Sequence, residues 1–215
     1  MADQGSLNQL LQWSISNSDS SRTDPTTGAP TDPSRGLNSQ MLAELLGGPS
    51  DADRMREAMT AIVAPLDQVD LENKLVAWDN FEQLIENLDN ANNMESLGLW
   101  TPLVQQLDSE VGEVRKWAAW CCSTAVQNNV KSQERLLAMG AVPKLAKQAT
   151  EDSDLAARKK AVNALSSEVR NYQPALDELE KSLPESVWKR KGLEAGDMDS
   201  VDEVIQALRD HASRT

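Results

Sequence analysis

The chain has 215 residues, a net charge of −13 and two cysteines. That length suffices for one cored domain plus a tail, and the acidic balance works against nucleic acid and anionic lipid, both of which need clustered Lys/Arg to displace counterions. No apolar run approaches the roughly 20 residues of a membrane span, and Met1-Ala2-Asp3-Gln4 lacks the basic and apolar start of a signal peptide, so the sequence predicts a cytoplasmic protein with no nucleic-acid or membrane partner.

Taken in chain order, Ser6 and Gln9 have capping-box spacing, and Leu7, Leu10, Leu11 and Ser14 fall on one side of a short predicted helix. Residues 16–36 are Ser, Thr, Asp, Pro and Gly with almost no apolar side chain, the composition of a flexible linker. Residues 37–46 read as a helix stopped by Gly47-Gly48-Pro49, and 51–64 as another ended by Pro65. Asp70 is the expected N-cap of a long helix over 71–88, followed by a turn at Asn90–Asn93. Short helices are expected at 94–97 and from Thr101-Pro102 to Asp108, then a long one over 113–128. Helices at 132–139 and 143–148 follow, with Gly140 at the corner, then 155–172, 174–182 and a final covering helix at 200–211. The predicted divisions are an N-terminal segment at 1–36, helices at 37–69 packing on an array, repeats at 70–182 and a capping segment at 183–215.

The three long helices repeat. Lys74, Arg115 and Arg158 align at separations of 41 and 43 residues, and the same register aligns Ala77/Ala118/Ala161, Ile85/Val126/Val169 and Asn87/Asn128/Asn171. Pro102 and Pro143 are also 41 apart. Spacings of about 40–47 residues with two or three helices per unit belong to HEAT and armadillo arrays. The expected fold is therefore all-α, an armadillo-like helical repeat solenoid with a flexible N-terminal arm, and such scaffolds usually bind rather than catalyse. Adjacent Cys121 and Cys122 diverge on a helix, so they read as reduced, buried packing rather than a disulfide or zinc site. His211 reads as solvent-exposed, and the acidic runs 151–154 and 194–202 as solvated turns and caps.

In the central long helix, Val114, Trp117, Ala118, Cys121, Cys122 and Ala125 form the stripe expected to meet neighbouring repeats. The opposite side is Trp120, Thr124 and Gln127. Transferred through the alignment, these positions are Asp79, Gln83 and Glu86 in the first unit and Asn163, Ser167 and Arg170 in the third. In armadillo folds this helix lines the binding groove, so these nine residues are the expected inner surface. Trp120 reads either as an interface anchor or as packing against a short helix.

Residues 69–103, VDLENKLVAWDNFEQLIENLDNANNMESLGLWTPL, resemble the fungal members of the armadillo-type nucleotide exchange factors for 70-kilodalton heat-shock chaperones. So do TAVQNNVKSQ from Thr124, ALSSEVRNYQPAL from Ala164 and the opening LLQWSI from Leu10. After Tyr172 the chain departs from longer relatives, with short charged helices in place of a fuller fourth repeat. The resemblance implies a non-enzymatic, monomeric protein without a cofactor, whose inner face clasps one lobe of the chaperone's nucleotide-binding domain so that ADP leaves. It adds Asn87, Asn90, Ala91, Asn92, Asn128 and Asn171 to the expected contact residues, with the 90–92 turn approaching the partner. It also suggests that Leu7, Leu10, Leu11, Trp13 and Ile15 enter the chaperone's peptide groove, against the alternative that they dock on the first repeat. A competing class is an importin-like adaptor for extended peptides, although its Trp/Asn ladder is largely missing: the Trp column reads Asp79, Trp120, Asn163. No glycine-rich phosphate loop, nucleophile elbow, HExxH or CxxC motif supports an enzyme.

Overall fold

The computed structural model describes residues 48–214. The helix capped by Ser6, the linker at 16–36, the helix at 37–46 and the arm residues Leu7, Leu10, Leu11, Trp13 and Ile15 lie outside the described residues. Within them, α1 (Asp51–Val63) carries Asp51 and Asp53 in its first turn, where the helix dipole favours negative charge, and buries Met55, Ala58, Met59 and Ile62. Asp70 caps α2 (Leu71–Ile85) as expected, its carboxylate accepting from the Asn73 amide at 2.9 Å. Trp78, Phe81 and Ile85 of α2 are fully buried.

The predicted turn at Asn90–Asn93 is instead helical: α3 spans Leu88–Asn93. Three asparagines in four residues suggest a turn, but the Asn87 side chain caps the Asp89 amide at 2.9 Å, and Ala91 and Met94 fill the core. Residues 94–97, expected as a short helix, form turns. There follow α4 (Trp100–Gln105) with a 3-10 turn at Gln106–Asp108, α5 (Gly112–Val126), α6 (Val130–Ala138), α7 (Ala141–Glu151), α8 (Leu155–Val169), α9 (Gln173–Ser182) and α10 (Met198–Arg214). Gly140 makes the corner between α6 and α7 at φ +67°. Among the described residues the regular structure is entirely helical. Helices α1, α2, α5, α8 and α10 pack side by side in that order, with α3, α4, α6, α7 and α9 forming a second layer. The pair α5 and α8 is the most extensive. Buried small side chains (Ala118, Ala119, Cys121, Cys122, Ala161, Ala164) allow close approach, and a Cβ on Gly112 would lie 2.8 Å from Asp154 Oδ2. Both cysteines are free and buried, and burial pushes both thiols up.

The repeating cation ties each long helix to the end of the element before it. Lys74 Nζ donates to the Ile62 carbonyl at 2.6 Å and to that of Ala64, at the C-terminal end of α1. Arg115 Nη1 donates to the Ser109 and Glu110 carbonyls at 2.7 and 3.1 Å, beyond the 3-10 turn. Arg158 Nη1 donates to the Asp152 carbonyl at 2.5 Å, beyond α7, and its Nε reaches forward to Ala212 in α10 at 3.0 Å. A helix end has carbonyls without internal partners, and each long helix supplies a cation from its first turns to satisfy those of the element before it. The asparagine column has a backbone reason too. Asn128 and Asn171 hold φ +53° and +57°, a left-handed conformation that asparagine tolerates, whereas Asn87 leads directly into α3 as its cap.

Two expected solvated groups are engaged. Asp152 pairs with Arg115 and its side chain is 4% exposed, whereas Asp154 in the same run is a cap as expected, accepting from the Ala156 and Ala157 amides at the start of α8. His211 is half-buried, with Nε2 3.0 Å from the Thr150 carbonyl; that partner is 61 positions away and outside any local pattern.

Residues 183–197, which lack regular helix, are held to α9 by Gln173, whose amide donates to the Leu193 carbonyl at 2.8 Å and accepts from the Ala195 amide at 2.7 Å, and by a buried carboxylate. Glu180 accepts from the Trp188 indole at 3.0 Å and from the backbone amides of Lys191, Gly192 and Leu193 at 2.8, 3.0 and 3.0 Å. Burial raises the Glu180 carboxyl, but these donors outweigh it and hold it below the ordinary glutamate range. The stability so gained is present above the unfolded glutamate pKa and is lost as pH falls through the folded value. Glu180→Gln should cost about 2 kcal/mol at neutral pH and open residues 183–197 to proteolysis. Limited digestion beside urea unfolding reads both effects, and unchanged digestion would remove Glu180 as a pin.

Candidate partner-binding face

The nine expected inner residues fall on the adjacent helices α2, α5 and α8 or just past their C-terminal ends. Asp79, Gln83, Glu86, Gln127 and Asn163 are exposed, while Trp120, Thr124, Ser167 and Arg170 are half-buried. Asp79 accepts from Gln83 Nε2 at 2.8 Å, one helical turn away. Polar bonds also cross between helices: Thr124 Oγ1 donates to Glu82 Oε1 at 2.6 Å, and the Ser123 and Ser167 hydroxyls lie 3.2 Å apart. Gln133 of α6 holds the end of α8 from below, its amide donating to the Ser167, Glu168 and Arg170 carbonyls at 3.1, 2.8 and 3.1 Å. Arg170 is committed to the C-terminal helix, pairing with Asp202 and lying near Met198 Sδ.

The asparagine group is divided. Asn87, Asn128 and Asn171 stand exposed just beyond the C-terminal ends of α2, α5 and α8, along one rim of that face. Asn90 is half-buried, its Nδ2 donating to the Leu84 carbonyl at 2.9 Å and to Asp51 at 3.0 Å. Ala91 is only 2% exposed and packs into the core, contrary to a turn that offers it to a partner. Arginine at Ala91 would therefore disturb α3 packing as well as any contact. Asn92 lines a separate polar cavity with Glu95, Trp100, Lys131 and Arg135, between α3 and α6.

The sequence pattern missed part of the face. Trp117, expected among residues facing neighbouring repeats, is half-buried and stacks on Trp120 with ring centroids 4.8 Å apart and planes at 11°. Lys160 of α8 lays its ammonium over the Trp120 ring, 3.0 Å from the centroid, and Lys116 lies 5.6 Å from that of Trp117. Burial lowers the Lys160 pKa, a shift that nearby Glu82 opposes. The signal was present: the column three residues before Asp79, Trp120 and Asn163 is Val76, Trp117 and Lys160, one turn N-terminal on the same side.

The comparisons with known proteins agree with this architecture. A solved structure of an engineered protein superposes with a TM-score of 0.53 at 17% identity, covering 81% of this chain and 71% of its own, which supports the helical fold alone. The family described as "Nucleotide exchange factor Fes1" matches residues 7–94, and "SIL1/FES1/HPBP1 C-terminal domain" matches residues 90–182. A relative from Gibberella zeae, "Hsp70 nucleotide exchange factor FES1", is 53% identical over 95% of each chain. Its namesake from Coccidioides immitis is 50% identical over 95% of this chain and 97% of its own. The Saccharomyces cerevisiae namesake is 40% identical over 87% of this chain but only 61% of its own length. With near-complete coverage at half identity, and two family matches in tandem from residue 7 to residue 182, the chain belongs to the Fes1 family of nucleotide exchange factors.

Proposed function

We propose that the protein binds the nucleotide-binding domain of a cytosolic Hsp70 through the α2/α5/α8 face and its C-terminal rim, promoting ADP release and, with it, client release. The observation that carries this reading is the 53% identity, over 95% of both chains, to a relative named as an Hsp70 nucleotide exchange factor. The face supports it, since a row of mostly polar, accessible side chains held from behind by Gln133 and Glu82 suits a rigid grip on a folded partner. ADP bridges two lobes, so a partner that prefers them apart must weaken ADP by the factor by which ADP weakens the partner. No bond is made or broken, so the protein acts as a co-chaperone without ATPase activity or cofactor; in this reading one copy of the chain suffices. Leu7, Leu10, Leu11, Trp13 and Ile15 add a second action, entering the chaperone's peptide groove so that released client does not rebind.

Release of fluorescent ADP from a cytosolic Hsp70 tests the reading. Catalytic amounts of the protein should accelerate release while hydrolysing no ATP alone. Replacing Leu10, Leu11 and Trp13 together by alanine should preserve that acceleration and reduce the release of a bound client peptide. An unchanged ADP rate at saturating protein removes the exchange reading, and unchanged client release removes the arm's role.

A further inference from the structure

The N-terminal half of the inner face carries a cation without an acid. Lys160 is half-buried, and no carboxylate lies within ion-pair distance of it among the described residues. Of the other cations on or at the ends of the three long helices, Lys159 is exposed and likewise has no ion pair among the described residues, whereas Arg115 is committed to Asp152, Lys116 to Glu113, Arg170 to Asp202, and Lys74 and Arg158 to carbonyls. Glu82, whose charge favours the ammonium form of Lys160, gives its carboxylate to Thr124. What holds Lys160 is the Trp120 ring. A cation on an aromatic face keeps donor capacity, because the ring neutralises no charge.

Beneath it the two stacked tryptophans form a rigid, half-exposed platform with few rotamers left to freeze on binding. Val76, 56% exposed, continues the same column onto α2. Aromatic anchors beside a charge that becomes desolvated at the contact are where binding energy concentrates. In a chain of net charge −13, one unpaired cation at such a point sets register locally rather than steering at long range.

We propose that the Trp117–Trp120 stack with Lys160 across it is an anchor of the partner site, and that it receives a protruding Asp or Glu side chain of the chaperone's ATPase domain. The carboxylate pairs with the Lys160 ammonium and its aliphatic stem lies on the tryptophan platform. The assignment rests on the exchange-factor reading and deepens it.

The test measures binding to purified Hsp70 and ADP release for the full-length protein, Lys160→Arg, Lys160→Met and Lys160→Glu. The Arg variant should stay within about threefold of the original, the Met variant should lose about tenfold and the Glu variant about a hundredfold in affinity. The salt dependence of binding should be shallower for the Met variant. Circular dichroism and thermal unfolding establish that the Met variant is folded, so its result stands even if the Glu variant is not. Carbodiimide coupling of the complex adds a readout that a structural role would not produce: an amide between Lys160 and an Asp or Glu of the chaperone, formed with loss of water to the reagent. Wild-type activity with unchanged Met and Glu variants, or coupling at Lys159 alone, overturns the anchor and leaves the exchange reading standing. A wild-type protein that neither binds nor accelerates release overturns both.

Discussion

Asp152→Ala is expected to destabilise the protein by about 4 kcal/mol at neutral pH, the scale of a buried ion pair broken from one side. Arg115 meets Asp152 as a fork, Nε to Oδ2 at 2.6 Å and Nη2 to Oδ1 at 2.7 Å, with the two side chains 17% and 4% exposed. The same carboxylate accepts from the Asp154 amide at 2.8 Å, and that residue caps α8. Alanine therefore strands a guanidinium among the elements leading into α5 and α8 and loosens the α8 start. Burial raises the Asp152 carboxyl, but the Arg115 bonds and the Asp154 amide outweigh it and leave it below the ordinary aspartate range. Its stabilisation is therefore full above the unfolded aspartate pKa and is lost as pH falls through the folded value. Urea unfolding from about pH 7 to about pH 3 should show wild type and variant converging in acid. A constant gap, or a loss under about 1 kcal/mol, would mean that the pair behaves as an exposed one.

The opposite sign is expected at Glu168. Its side chain is fully buried in α8, and neither carboxylate oxygen has a hydrogen-bond partner among the described residues. Burial pushes its pKa up to about 9, so the folded protein holds it neutral at pH 7 while the unfolded chain ionises it. For an acid with a raised folded pKa, stability is greatest below the unfolded value and declines as pH rises towards the folded one. At 1.36 kcal/mol per pH unit, the decline reaches about 3 kcal/mol by pH 7. Glutamine has a similar shape and cannot ionise, so Glu168→Gln should recover about that amount at pH 7 and flatten the profile between about pH 5 and 9. The aligned positions in the other long helices are Leu84 and Ala125, so the repeat itself does not demand a carboxyl here. A wild-type profile already flat over this range would show that Glu168 finds a donor or water.

Much of the array was legible in sequence because its determinants are local or periodic. The caps at Asp70 and Asp154, the corner at Gly140 and the recurring alanine and β-branched columns all lie within one element or one repeat. The misreadings share a cause in contacts between distant positions. Asn90–Asn93 reads as a turn until Ala91 and Met94 meet the core. His211 reads as solvated until α10 comes to rest beside Thr150. Trp117 reads as core because a tryptophan on an apolar stripe usually is, and nothing in its neighbourhood announces that a stack with Trp120 and a lysine from the next repeat leaves it half open. The cation column was visible as a pattern, but its purpose needed the carbonyls that Lys74, Arg115 and Arg158 reach.

That column also bears on mechanics. If the protein works on the chaperone's two lobes as proposed, it has to yield less than the hinge between them, or the strain is taken up in the protein. A stack of helix pairs held by apolar contact alone can slide, because burial has no preferred direction. Charged bonds from Lys74, Arg115 and Arg158 to the ends of preceding elements are directional and resist such shear at each level. The last of them also grips Ala212 of α10, so stiffness extends to the final helix even though the series stops there.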